Sequence, residues 1–140
     1  MELELLNHSF DILNNCDHNV SIMAGMIEHL HNQMNTVLGF DGDYTVDTPI
    51  CPNAKYLNRE AWLYVIDVFR WCQHWVDDSV SFGNENGLID DMGNSVATVS
   101  VWIPNTLELN DDVKDRINQN WELIGSVFDQ LNQNFVTMYK

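Results

Sequence analysis

The chain has 140 residues, with 21 Asp and Glu against 6 Lys and Arg, a formal net charge of −15. That balance repels nucleic acid and anionic membrane surfaces and attracts basic surfaces on other proteins. A hydrophobic fraction of 45%, an aromatic fraction of 11% and five tryptophans exclude an acidic disordered chain, so one globular domain over residues 1–140 is expected.

Only 19% of the residues are charged, so the acidity comes from a shortage of Lys and Arg rather than from acidic runs. Seventeen asparagines fill the polar surface instead, for which the bland account is codon bias in an AT-rich genome. Cys16, Cys51 and Cys72 are odd in number and lack Cys-x-x-Cys spacing. Reduced thiols in a cytoplasmic protein fit them better than a disulfide framework or a zinc site. The stretch Met1–Phe10 carries no basic segment or long apolar run, so no signal peptide is expected. No run of about eighteen apolar residues exists, so no membrane span is expected either.

Leu3, Leu6, Phe10 and Leu13 have helical spacing, predicting a first helix over Leu3–Cys16 that breaks at Asn14, Asn15 and Asp17. A second helix is expected from about Asn19 to Leu38. Its stripe is Val20, Met23, Ile27, Leu30, Met34, Val37 and Leu38, with Gly39 as its stop. Phe40–Ala54 reads as a loop, given Asp41-Gly42-Asp43, Pro49 and Pro52. A third helix starts near Asn58, a good N-cap, and runs to about Val76. It is apolar nearly all round, through Trp62, Val65, Phe69, Cys72 and Trp75, which suits a central position.

The period then changes. Ala97, Val99, Val101 and Ile103 alternate with Thr98 and Ser100, and Asn86-Gly87 and Met92-Gly93-Asn94 are hairpin-type turns. These predict a small antiparallel meander over about Ser79–Ile103, closed by Pro104. The last helix is capped by Asn110, carries Asp111 and Asp112 in its first turn, and reaches Tyr139. Val113, Ile117, Trp121, Ile124, Phe128, Leu131, Phe135 and Met138 form a near-heptad seam. The expected fold is therefore α+β and mainly helical: about four helices, with a small antiparallel meander between the third and fourth.

No catalytic or metal signature is complete, and no cofactor is expected. Glu28 and His31 have the i, i+3 spacing of half a di-iron site, but no second Glu-x-x-His exists. Asp41, Asp43 and Asp47 resemble the start of a calcium loop, yet Val46 and Pro52 stand where it needs Gly and Glu. His74 and Asp78 lie one helical turn apart, as in a surface ion pair or an orienting pair of a triad, without a Gly-x-Ser-x-Gly elbow. Gly83, Gly87 and Gly93 are spaced as turns, not as a phosphate loop. Direct nucleic-acid binding lacks a basic stripe: Lys55, Arg59, Arg70, Lys114, Arg116 and Lys140 are scattered.

The acidic surface remains. Asp111, Asp112, Asp115, Glu122 and Asp129 fall on the exposed sides of the last helix; Asp77, Asp78, Glu85, Asp90 and Asp91 surround the expected hairpin. Carboxylates one helical turn apart are spaced about 6 Å, similar to phosphates along a DNA strand. In charge, size and lack of catalytic groups the chain resembles the inhibitors that phages and mobile elements direct at restriction or CRISPR machinery. The resemblance implies a DNA-mimicking interaction protein that blocks a basic, nucleic-acid-handling partner. The partner-binding residues would be Asp77, Asp78, Glu85, Asp90, Asp91, Asp111, Asp112 and Asp115. The alternatives are a metal-binding or metal-assisted hydrolase module using Glu28, His31 and the loop aspartates Asp41, Asp43 and Asp47, and a homo-oligomer such as a dimer pairing along Ile117, Ile124 and Leu131.

Overall fold

Three long helices carry the fold of the computed structural model, which describes residues 2–8, 11–54 and 56–139. They are α1 (Ile12–Leu38), α2 (Arg59–Glu85) and α3 (Asp111–Tyr139). At 1.5 Å per residue each spans about 40 Å. The Asn58 side chain caps α2 by accepting from the Ala61 N–H at 2.9 Å, and Asn110 caps α3 by accepting from Val113 N–H at 2.9 Å. Gly39, at φ 79°, ends α1 in the left-handed region, which glycine enters without a Cβ penalty.

The helices run parallel. Phe69 meets Trp121 at 4.9 Å, and further along the same two helices Gly83 faces Leu131. Asn15 bonds Trp121, while Leu30 lines a cavity with Phe128 further along. His31 stacks on Phe82 near the far ends of α1 and α2. All three C-termini therefore lie at one end of the molecule. Parallel helices require the chain to travel back between them, and roughly twelve extended residues cover about 40 Å. The segments 40–54 and 95–104 make these returns as extended straps.

Each strap lies along a helix–helix groove. The first return runs past His31, through Tyr44, to Trp71, whose indole N–H donates to Asp47 O at 2.9 Å. The second runs from Leu88, packed by Gly83, past Gln73 to Trp102 beside α3. Residues 2–8 form a third strap against α1 and α3, with Leu6 buried and Leu3 near Gly125.

A strap in a groove has no neighbouring strand to pair its backbone, and unpaired buried N–H and C=O groups are costly. Side-chain amides of the helices take the strand's place. Asn19 accepts from Glu4 N–H at 2.7 Å and donates to Glu4 O at 2.8 Å, and Asn15 donates to the same oxygen at 2.9 Å. Asn118 accepts from Leu6 N–H at 2.6 Å and donates to Leu6 O at 3.0 Å. Asn120 treats Trp102 the same way, at 2.7 and 2.8 Å. Gln73 accepts from Val101 N–H at 2.6 Å and donates to Val99 O at 2.9 Å. Asn32 holds Tyr44 through its N–H at 2.7 Å and its carbonyl at 3.4 Å.

These bonds correct the expected fold class. Among the described residues there is no sheet, only one antiparallel bridge between Ile89 and Ser95, and three helices rather than four. The alternation around Val96–Ile103 does mark extended chain against an apolar surface. Helices supply that surface, so the meander is absent. The expected helix over Leu3–Cys16 is also corrected: residues 2–8 are extended, α1 starts at Ile12, and Asn15 lies within it. Phe10 lies outside the described residues. Helix α2 continues past Val76 to Glu85 because Ser79 and Gly83 are buried on its inner face, where a Cβ on Gly83 would stand 2.8 Å from Leu131 Cδ2.

The core is the meeting of the three apolar stripes: Met23, Ile27 and Met34; Trp62, Val65, Phe69 and Val76; Ile117, Trp121, Ile124 and Leu131. Each such side chain contributes about 1.5–3 kcal/mol by burial. The near-heptad seam of α3 is thus spent inside its own chain, and Ile117, Ile124 and Leu131 are not a free dimer face. The outer ends of two stripes differ from expectation, since Val37, Leu38 and Met138 are exposed.

Candidate interaction surface

The parallel arrangement separates the expected acidic residues into two groups. Asp111, Asp112 and Asp115 begin α3, at the N-terminal end of the bundle, whereas Asp77, Asp78 and Glu85 lie on the second half of α2 and Asp90 and Asp91 in the turn after it. Phe69 and Trp121 are level with each other, so Asp111 and Glu85 are about 39 Å apart along the axis. All eight side chains are exposed. The structure brings five together and leaves three at the opposite end.

Local structure accounts for several of them. Asp111 and Asp112 occupy the first turn of α3, where the helix dipole favours acids, and Asp112 pairs with Arg116 at 3.1 Å. Asp90 Oδ1 accepts from the N–H groups of Asn94 at 2.8 Å and Met92 at 2.9 Å. Those backbone donors, Asn94 foremost, hold the Asp90 carboxyl below its ordinary value. Asp77 Oδ1 accepts from Thr98 Oγ1 at 2.6 Å and Gln73 Nε2 at 3.0 Å, tying the second return strap to α2. Asp78, Glu85, Asp91 and Asp115 are left without such a structural role.

The C-terminal end has a second property that charge counting misses. No Lys or Arg occurs within residues 1–54, 71–113 or 117–139, and among the described residues, which do not include Lys140, no helix carries a basic residue in its last turn. Three negative dipole ends coincide there with Asp41, Asp43, Glu85, Asp90 and Asp91, an arrangement that works against folding stability. Exposed apolar side chains gather at the same end: Phe40 at 64% and Met92 at 85%, with Val37, Leu38, Ile89 and Tyr139. The clue available in the sequence was the two stretches without Lys or Arg, between Arg70 and Lys114 and between Arg116 and Lys140, together with the unburied apolar residues next to Gly39 and Gly93.

The other candidate constellations separate. His31 is 5% exposed and stacks between Tyr44, at 4.0 Å and 6°, and Phe82, at 3.9 Å. Its Nε2 is buried without a hydrogen-bond partner. No three His, Cys, Asp or Glu side chains among the described residues are placed to hold a metal ion. His74 is exposed and packs edge-on to Trp75 at 5.2 Å. Cys16 and Cys72 are buried, and burial pushes both thiols far up; Cys51 is half-buried, and all three are free. No helix among the described residues is long and apolar enough to cross a membrane.

Burial lowers the pKa of His31 below its ordinary 6.5, partly opposed by Asp78 on α2. The unfolded chain therefore takes up this proton first. The His31 contribution is intact above pH 6.5 and is lost as pH falls from 6.5 through the lower folded value. Carboxylate protonation changes stability in the same range, so the test is a difference. The melting temperature of wild type relative to His31→Phe should be constant above pH 6.5 and fall below it; a constant gap throughout would remove this assignment.

Comparison with known protein families, with curated proteins and with solved structures returned no match.

Proposed function

We propose that the chain is a small acidic interaction protein that blocks a basic, nucleic-acid-handling partner, with the C-terminal end of the bundle as its contact surface. The observation that carries this is the coincidence of acids, exposed apolar side chains and three helix C-termini at one end, without a Lys or Arg among the described residues of the helix segments that form it. Solubility alone accounts for an acidic surface, but not for acids placed against three parallel dipoles beside exposed Phe40 and Met92. Interfaces characteristically combine such an apolar centre with a polar rim.

The mechanism is occlusion. Asp78, Glu85 and Asp91 pair with Lys and Arg that otherwise hold phosphates, in the manner of a DNA mimic, and Phe40 and Met92 anchor the complex once encounter has occurred. This is the mode of an inhibitor directed at restriction or CRISPR enzymes. Asp111, Asp112 and Asp115 contribute long-range field rather than contact.

Affinity capture from a nuclease-treated lysate of the source cells, eluted stepwise with salt, tests the reading. The expected result is a nucleic-acid-handling protein released as salt rises. Retention of no protein at low salt, or of one whose release ignores salt, would contradict it.

A further inference from the structure

The three grooves of the bundle are not equally filled. The α1/α2 and α2/α3 grooves are followed by straps from the level of Tyr44 and Leu88 down to the N-terminal end. The described N-terminal strap, by contrast, reaches up the α1/α3 groove only to Leu3 beside Gly125. Above that level a cavity of about 190 Å³ opens between Met26 and Leu30 of α1 and Phe128 of α3, with His29, Asp129 and Asn132 at its edge. Asp129 also borders a wider cavity of about 490 Å³ that follows α3 down to Leu3.

We propose that this groove is a docking site for an extended segment of a partner protein, basic in sequence and carrying one large apolar side chain. Two observations point to that occupant. Met26, Leu30 and Phe128 give the upper cavity apolar walls that suit a single side chain. Glu2, Glu122 and Asp129 line the groove and, among the described residues, no Lys or Arg does, so a cationic segment is complementary. The segment thus does from outside what the chain's own straps do in the other grooves.

This site stands apart from the acidic end proposed above, and its test uses different residues. The probe is a displayed nonapeptide library, followed by synthesis of the most enriched sequence and titration monitored by amide chemical shifts. Enriched peptides should place Lys or Arg around one Leu, Met or Phe, and should shift Leu30, Phe128 and Asn132. Asn132→Trp, which plugs the upper cavity from an exposed position, and Asp129→Lys should each weaken binding about tenfold or more. Glu85→Lys, at the other surface, should leave it unchanged. Failure to enrich any peptide, or an enriched peptide that binds Asn132→Trp as tightly as wild type, would overturn the assignment. Equal loss in Glu85→Lys would overturn it as well. A dimer in light scattering that Asn132→Trp abolishes would seat a second copy in the groove and likewise overturn it.

Discussion

Asn120→Ala should lower the free energy of unfolding by about 2–4 kcal/mol, a cost expected of a large core truncation rather than of a polar one. Asn120 is 1% exposed, and both ends of its amide are committed to the backbone of Trp102. Truncation strips the partner from a backbone donor and a backbone acceptor at once. The return strap is tethered at both ends, by α2 and α3, so it cannot swing out to be hydrated. Asn19→Ala removes two bonds to Glu4 but should cost less, about 1–2 kcal/mol, because Glu4 O keeps the Asn15 donor at 2.9 Å and only the Glu4 N–H loses its partner. Asn120→Leu is the control. It restores apolar volume without hydrogen bonds, and it should remain about as unstable as Asn120→Ala in urea titration. Recovery of wild-type stability by leucine would show that the position is filled for packing alone.

The second large effect has opposite signs on stability and on binding. Reversing Asp78, Glu85 and Asp91 to Lys should abolish salt-sensitive partner capture, with association slowed on the order of tenfold or more. The same triple variant should be more stable than wild type at low salt, by about 1 kcal/mol, because cations replace acids at and just past the C-terminus of α2 in a chain of net charge −15. Reversing Asp111, Asp112 and Asp115 should do the reverse. It removes favourable charges from the first turn of α3 and the Asp112–Arg116 pair, while leaving most of the binding intact. A gain of stability with loss of binding identifies a surface kept acidic for contact. Triple-variant binding equal to wild type would move the contact surface elsewhere.

Much of the helical framework is legible in the residues. The caps Asn58 and Asn110, the stop at Gly39 and the seam from Val113 to Phe135 all stand where spacing and capping chemistry place them. What the sequence hides is the identity of the backbone's partners. Period-two alternation near Val99 and Val101 reports an extended chain on an apolar surface. It is silent on whether a strand or the side chain of Gln73 receives the N–H groups. Leu3 and Leu6 mislead for the same reason, because a groove between helices accepts apolar residues from an extended strap as readily as from a helix.

The asparagine excess carried more information than composition suggested. Asn15, Asn19, Asn32, Asn118 and Asn120 each bond strap backbone or core indole, and Asn58 and Asn110 cap helices. The available signal was asparagine inside an apolar stripe: Cys16, Asn19, Val20 and Met23 share one face of α1 and are all buried. A solvated residue has no reason to recur there. Of the candidate surface, the acids were visible in sequence, but their division between two ends was not, because it follows from parallel helices that no local pattern encodes.

The central claim is that helix side-chain amides stand in for a neighbouring strand along the straps. Amide hydrogen exchange of the native protein tests it most directly. The N–H groups of Val101, Trp102 and Tyr44, bonded to Gln73, Asn120 and Asn32, should be protected far above the free-peptide rate. For Val101 and Trp102 the protection should approach that of the α3 core. Exchange of these three amides at the rate of an unstructured peptide would contradict the account.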